Sequence, residues 1–185
     1  MKLPAILAGL ALTFLGSFAV TYFHIEHVND PLAKLERQTR RVVYAASGHR
    51  AQPGNEAYWD ALQMVSTVNV VLGIEATFVD DPGFGGALGV TNRATRTIIL
   101  RNDLSWNERL GVLAHEAGHV LQPASLDRVE SEAFAEGVAY LVCRGFGRDD
   151  VWFHANYLAQ YKTGLHTLRD YRREIEWAAR LLLGQ

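Results

Sequence analysis

The sequence predicts an α+β fold: a mostly helical domain with a small antiparallel sheet, preceded by an N-terminal transmembrane helix. Three observations carry this. Residues 3–23, LPAILAGLALTFLGSFAVTYF, contain no charged side chain and are long enough to cross the roughly 30 Å hydrocarbon core of a bilayer as a helix. The β-rich, glycine-punctuated runs fall between residues 74 and 101 and read as strands. From Ser105 onward apolar residues recur at helical spacing, with no further strand signal.

A chain of 185 residues has room for one hydrophobic core. The expected organisation is a membrane anchor or signal peptide over 1–23, a linker over 24–33 and one domain over 34–185. Apolar residues at 49% and charged residues at 21% are globular proportions and exclude a disordered chain. The net charge of −2, from 18 basic and 20 acidic side chains, leaves no electrostatic footprint for nucleic acid. Cys143 is the only cysteine, which excludes an intrachain disulfide framework and any cysteine-rich zinc module.

The apolar run follows Met1-Lys2 and closes on Tyr22-Phe23, aromatic residues suited to a membrane interface. Ser17-Phe18-Ala19 also offers a small-x-small cleavage site, so a secreted product beginning at Val20 is the alternative to an uncleaved anchor. Lys2 on one side, with Glu26 and Asp30 on the other, puts the domain outside the cytoplasm; Lys34, Arg37, Arg40 and Arg41 argue the opposite way. Asp30-Pro31 opens a helix to about residue 47, with Leu32, Leu35, Val42 and Val43 as its apolar positions. HRAQPGN is a loop, and a second helix over about 55–72 ends at Gly73. Residues 74–79 form a strand, followed by a loop through Asp81-Pro82-Gly83 and Gly85-Gly86. Two further strands, 87–91 and 95–101, are joined through Asn92-Arg93-Ala94 as a hairpin. Helices then follow over about 105–122, 127–145, 150–162 and 165–183. Ser105 with Glu108 three residues on is a capping box that marks a helix start. Trp59, Trp106, Trp152 and Trp177 fall within helices and are expected to pack in the core or its grooves. Cys143, in the apolar run YLVC, is expected as a buried, inert thiol.

Ten residues into the Ser105 helix stands His115-Glu116-Ala117-Gly118-His119. Positions four apart share a helix face, so both imidazoles reach one ion from a single rigid element. Glu116 projects toward the same edge and is free to accept a proton from a water at the metal. This is the HExxH arrangement of zinc hydrolases. Leu110, Leu113, Val120 and Leu121 flank the motif and imply a buried helix, where an ionised glutamate between two histidines calls for a cation. A catalytic zinc needs a third protein ligand, and the next helix offers Glu130, Glu132 and Glu136. Glu132 and Glu136 share a face beside Ala135 and Ala139, small residues that let two helices approach closely. Glu130 points elsewhere and reads as a surface charge.

HEAGH followed by Glu132-Ala-Phe-Ala-Glu136-Gly-Val-Ala resembles the compact gluzincin zinc metallopeptidases, nearest to the ImmA/IrrE and ArdC antirestriction-type group. The resemblance implies a minimal gluzincin-like domain, a bound Zn2+ and a peptide or protein substrate. In that group the pattern E-x-x-A-(D/E/N)-x-(V/F)-A carries the third ligand at its first glutamate, which falls on Glu132. Glu136 then matches an acid that orients a ligating histidine. The likeness covers roughly residues 97–183 and includes Tyr157-Leu-Ala and Ile175-x-x-Ala178-Ala179-x-x-Leu182. The single-stranded-DNA-binding region of the antirestriction proteins has no counterpart, so an antirestriction role is not expected.

The function expected is a zinc-dependent metallopeptidase, hydrolysing peptide bonds through a metal-activated water with Glu116 as general base. Its metal ligands would be His115, His119 and Glu132. A hydrogen-bond donor to the oxyanion is also expected; Tyr157 is the first candidate, with Tyr140 and His154 behind it. The hairpin edge at 86–91 could pair with an extended peptide. The alternative is a membrane-anchored, non-catalytic zinc-binding or interaction module on the same scaffold. An intact Glu116 speaks against it, since only catalysis needs that carboxylate.

Overall fold

Asp30, the first of the described residues, caps a helix. Its Oδ1 accepts the backbone N–H groups of Leu32 at 3.1 Å and Ala33 at 3.3 Å, donors that a helix start leaves orphaned. Its other oxygen takes the guanidinium of Arg172, near the far end of the chain. The computed structural model describes residues 30–41, 55–80, 83, 85–148 and 151–185. The apolar segment 3–23, the continuation of the first helix through Val42 and Val43, and the loop before Asn55 lie outside them. Among the described residues no helix is long and apolar enough to cross a membrane.

The elements are α1 (Pro31–Arg41), α2 (Asn55–Val71), β1 (Glu75–Val79), β2 (Gly89–Asn92), β3 (Thr97–Arg101), α3 (Trp106–Leu121), α4 (Arg128–Gly145), α5 (Val151–Leu158), a 3-10 segment (Ala159–Gly164), α6 (Thr167–Asp170) and α7 (Arg172–Leu183). The fold is α+β and mostly helical. Leu32 and Leu35 of α1 are buried in the core, so Asp30 to Ala33, read from sequence as linker, already belong to the folded body.

The sheet is mixed rather than antiparallel. Its order is β1-β3-β2; β2 pairs antiparallel with β3, and β1 pairs parallel with it, Glu75 opposite Thr97 through Val79 opposite Arg101. The chain reverses twice between β1 and β3, once between β1 and β2 and once in the hairpin, which restores the direction of β1. Ile98 and Leu100 alternate inward from the central strand and are fully buried, as period-two patterning requires.

Helices α3 and α4 form the centre. Ser105 and Glu108 make the expected capping box at the start of α3, and Asp127 with Glu130 makes a second at the start of α4. Leu110, Leu113, Ala114 and Ala117 of α3 are fully buried, as are Phe134, Ala135 and Val138 of α4. Where the two helices meet, a Cβ on Gly118 would stand 2.8 Å from the Cα of Ala135. Only glycine permits that approach. Helix α7 closes the other side with Ile175, Ala178, Ala179 and Leu182.

Two expected helices are interrupted. The run over 150–162 tightens into 3-10 geometry after Leu158, and this segment ends at Gly164, which passes the start of α4 so closely that a Cβ would lie 2.6 Å from the Val129 carbonyl oxygen. The run over 165–183 breaks at Tyr171, whose backbone leaves helical geometry. Trp59 and Trp177 are 66% and 53% exposed, not packed as expected. Each lies off the buried stripe of its helix, formed by Ala61, Met64 and Val68 on α2 and by Ile175, Ala178 and Ala179 on α7. Trp106 does pack, with the Arg109 guanidinium 4.1 Å over its ring.

Candidate metal centre

The histidines of α3 point at one another. His115 Nε2 and His119 Nε2 are 3.1 Å apart. Helix α4 supplies Glu132, whose Oε2 lies 3.4 Å from His115 Nε2 and 3.8 Å from His119 Nε2. Among the described residues these three form a cluster able to hold a metal ion, their donor atoms lying within 4.8 Å of one another. Ligand atoms about 2.0–2.2 Å from a tetrahedral zinc stand roughly 3.3–3.6 Å from each other. The observed separations bracket that spacing, and two imidazoles with one carboxylate are the donor chemistry of a catalytic zinc.

Both rings are held from behind. His115 Nδ1 pairs with Glu136 Oε2 at 2.8 Å, and Glu136 Oε1 pairs with His154 Nδ1 at 2.6 Å. His119 Nδ1 sits 3.2 Å from Gln122 Oε1 and 3.1 Å from Ser131 Oγ, while the Ser131 hydroxyl donates to Gln122 Oε1 at 2.8 Å. Such contacts fix the ring so that Nε2 faces the ligand position. At the end of α3, Arg93 from the hairpin turn donates to the His119 carbonyl.

The electrostatics of the metal-free chain point the same way. Burial opposes charge on His115, but its hydrogen bonds to the Glu132 and Glu136 carboxylates outweigh it and raise its pKa to about 10. Burial and the neighbouring His115 charge lower that of His119. The two histidines are thus pushed in opposite directions, His115 toward the charged form and His119 toward the neutral one. Burial acts to raise the carboxyl of Glu132, but hydrogen bonds from His115 and Tyr157 prevail and lower it. Burial works in the same sense on Glu136, yet the His154 and His115 partners bring it down to about 2. His154 is raised to about 10, the charge of Glu136 overcoming the penalty of burial.

Glu116 is buried next to His115 but is not part of the donor cluster. Its Oε2 accepts the hydroxyl of Thr91 at 2.7 Å, and the same hydroxyl lies 2.9 Å from the Glu116 backbone carbonyl. Strand β2 therefore holds the carboxylate in place. At Gly89 the strand crosses α3 so closely that a Cβ would fall 3.0 Å from Glu116 Cγ. A cavity of about 180 Å³ opens here, lined in part by Gly89, His115, Glu116 and Tyr157.

Of the three oxyanion-donor candidates, Tyr157 stands at the site. Its hydroxyl donates to Glu132 Oε2 at 2.7 Å, and its ring lies edge-on to His115 with centroids 5.2 Å apart. Burial, reinforced by the Glu132 carboxylate, pushes its phenol well above the usual range, so it remains a donor. His154 is engaged by Glu136, and Tyr140 is fully buried against the His154 ring. Glu130 is turned away, capping α4 and accepting from His166 Nε2 at 3.0 Å. Cys143 is a free, buried thiol.

Thr91, Gln122 and Ser131 were not singled out in the sequence. Gln122 lies one helical turn beyond His119 and Ser131 next to Glu132, but neither spacing is a signal without the packing of α3 on α4. No protein family, curated protein or solved structure matches the chain.

Proposed function

We propose that the chain is a zinc-dependent metallopeptidase of the gluzincin type, with His115, His119 and Glu132 as metal ligands and Glu116 as general base. The observation that carries this reading is the convergence of two imidazole nitrogens and one carboxylate at tetrahedral spacing, beside a buried glutamate outside the cluster. A zinc ion held there would supply a Lewis acid for the scissile carbonyl and would acidify a water. Glu116, positioned by Thr91, takes the water proton and delivers it to the leaving amine. Tyr157, kept protonated, hydrogen-bonds the oxygen on which charge develops. Among the described residues β2 is an edge strand of the sheet, and its edge beside Glu116 would offer backbone groups to an extended peptide.

The test is metal analysis of the purified full-length chain, followed by digestion of a peptide library with wild type and Glu116→Gln. One zinc per chain is expected in both. Cleavage should be present in the wild type and reduced roughly 10²–10⁴-fold or more in the variant. Zinc without cleavage would make the domain a zinc-binding module, and a wild type that takes up no metal would overturn the reading altogether.

The uncharged segment 3–23 supports an enzyme held at a membrane, and Lys2 before it with Glu26 and Asp30 after it support a domain outside the cytoplasm. Full-length protein should then resist carbonate extraction from membranes, and the domain should be open to protease on intact cells. A soluble form beginning at Val20 would instead show a cleaved signal peptide.

A further inference from the structure

The cavity beside the donor cluster has two kinds of wall. His115, Glu116 and Tyr157 form its polar side, whereas Ala87 and Leu88 from the loop before β2, Val112 on α3 and Phe153 on α5 form an apolar one. Glu136 also reaches it, but each of its oxygens is taken by a histidine, so it offers no ready partner to a cationic side chain.

Three lining residues, Gly86, Gly89 and Gly111, have no side chain. Gly111 is buried in the interior of α3, one turn before His115, where glycine is the poorest helix former after proline. Its backbone does not require glycine, for it is absent from the positive-φ residues. Packing does not require it either. A Cβ at 111 would lie 3.8 Å from Cys143 Sγ and 3.9 Å from Phe153 Cε1, ordinary contact distances, unlike the 2.8 Å approach at Gly118. What a side chain there would take away is cavity space between α3 and α5.

We propose that this cavity is a subsite for a large apolar side chain, leucine or phenylalanine in kind, on the residue adjoining the cleaved bond, and that Gly111 sets its depth. The proposal rests on the peptidase reading. Glu116 at the polar side fixes where the bond under attack lies, and a neighbouring side chain then has the apolar wall within reach. Apolar burial is the recognition chemistry available.

The experiment titrates N-acetyl-leucinamide, N-acetyl-phenylalaninamide, N-acetyl-aspartamide and N-acetyl-lysinamide against the zinc-loaded full chain in lipid nanodiscs, read by NMR with empty nanodiscs as blank. The two apolar amides should bind roughly 10-fold or more tightly than the charged ones. Gly111→Ala should weaken the phenylalanine amide by about tenfold, the usual worth of one methyl-sized change in an apolar pocket, and Gly111→Leu should abolish its binding. Gly111→Ala should keep its zinc and melt no lower than wild type, since alanine favours the helix; it decides the matter if Gly111→Leu fails to fold. Equal binding of all four amides, or binding unchanged by Gly111→Ala, overturns the proposal. In a parallel library digest, the preferred residue beside the cleaved bond should shift from leucine or phenylalanine to alanine in Gly111→Leu. If no peptide is cut at all, the peptidase reading falls, and the amide titration still decides whether the cavity takes apolar side chains.

Discussion

Glu132 and Glu136 differ by one helical turn, about 5.4 Å along the axis, and that offset separates their roles. Glu132 Oε2 faces both Nε2 atoms, whereas Glu136 reaches only the rear nitrogens of His115 and His154. Glu132→Ala should therefore abolish tight zinc binding. Glu136→Ala should weaken it roughly 10–100-fold, the usual cost of losing a partner behind a ligating histidine. Competition against a chromophoric chelator measures both. Retention of metal by Glu132→Ala with its loss from Glu136→Ala would reverse the assignment. At this scale the two histidines and Glu116 were legible from spacing alone, because a helix face is a local property. The choice between the two glutamates was not, since residues four apart share a face and only the docking of α4 on α3 says which one faces the ions' side. His154 was legible as a candidate but in the wrong role: no local pattern says that it will hold Glu136.

At the level of elements, the site exists because α3 and α4 approach one another at Gly118 and Ala135. The histidines ride on the first helix and Glu132 on the second, so their separation sets the donor spacing. In Gly118→Val the new side chain would meet the Ala135 backbone, which lies 2.8 Å from the Cβ position and cannot yield without moving α4. Overpacking of this kind costs roughly 1–3 kcal/mol. The variant should melt below wild type in chelator and should also bind zinc more weakly. A variant with lowered stability but unchanged zinc affinity would show that the helix contact does not set the donor spacing. The helix start at Trp106 was legible because its capping box is written in side chains three residues apart, whereas the matching Asp127–Glu130 box at the start of α4 is missed by a reading of Glu130 as a surface charge. The parallel pairing of β1 with β3 joins segments remote in sequence, and no local pattern announces it.

For the molecule as a whole, the buried charges predict how stability responds to pH and to metal. In the metal-free chain His154 and His115 are both raised from 6.5 to about 10. A raised histidine contributes stability that is complete below its unfolded pKa and is lost as pH rises through the folded one. Glu136 is lowered from 4.5 to about 2, so its contribution is complete above 4.5 and is lost as pH falls through 2. All three contributions overlap fully between the two unfolded values, 4.5 and 6.5. Thermal denaturation in chelator should therefore give a melting temperature that is highest in this window and declines from neutral pH toward 10. In the proposed ligation zinc would bind the deprotonated imidazole of His115 and so compete with its proton. Its stabilising effect should grow as pH rises, adding to the mass-action gain expected of any ligand selective for the folded state. The zinc-loaded curve should consequently be flatter on the alkaline side than the metal-free one. Two curves that run parallel above neutral pH would mean that zinc does not displace the His115 proton, and the ligand assignment would fall with that result.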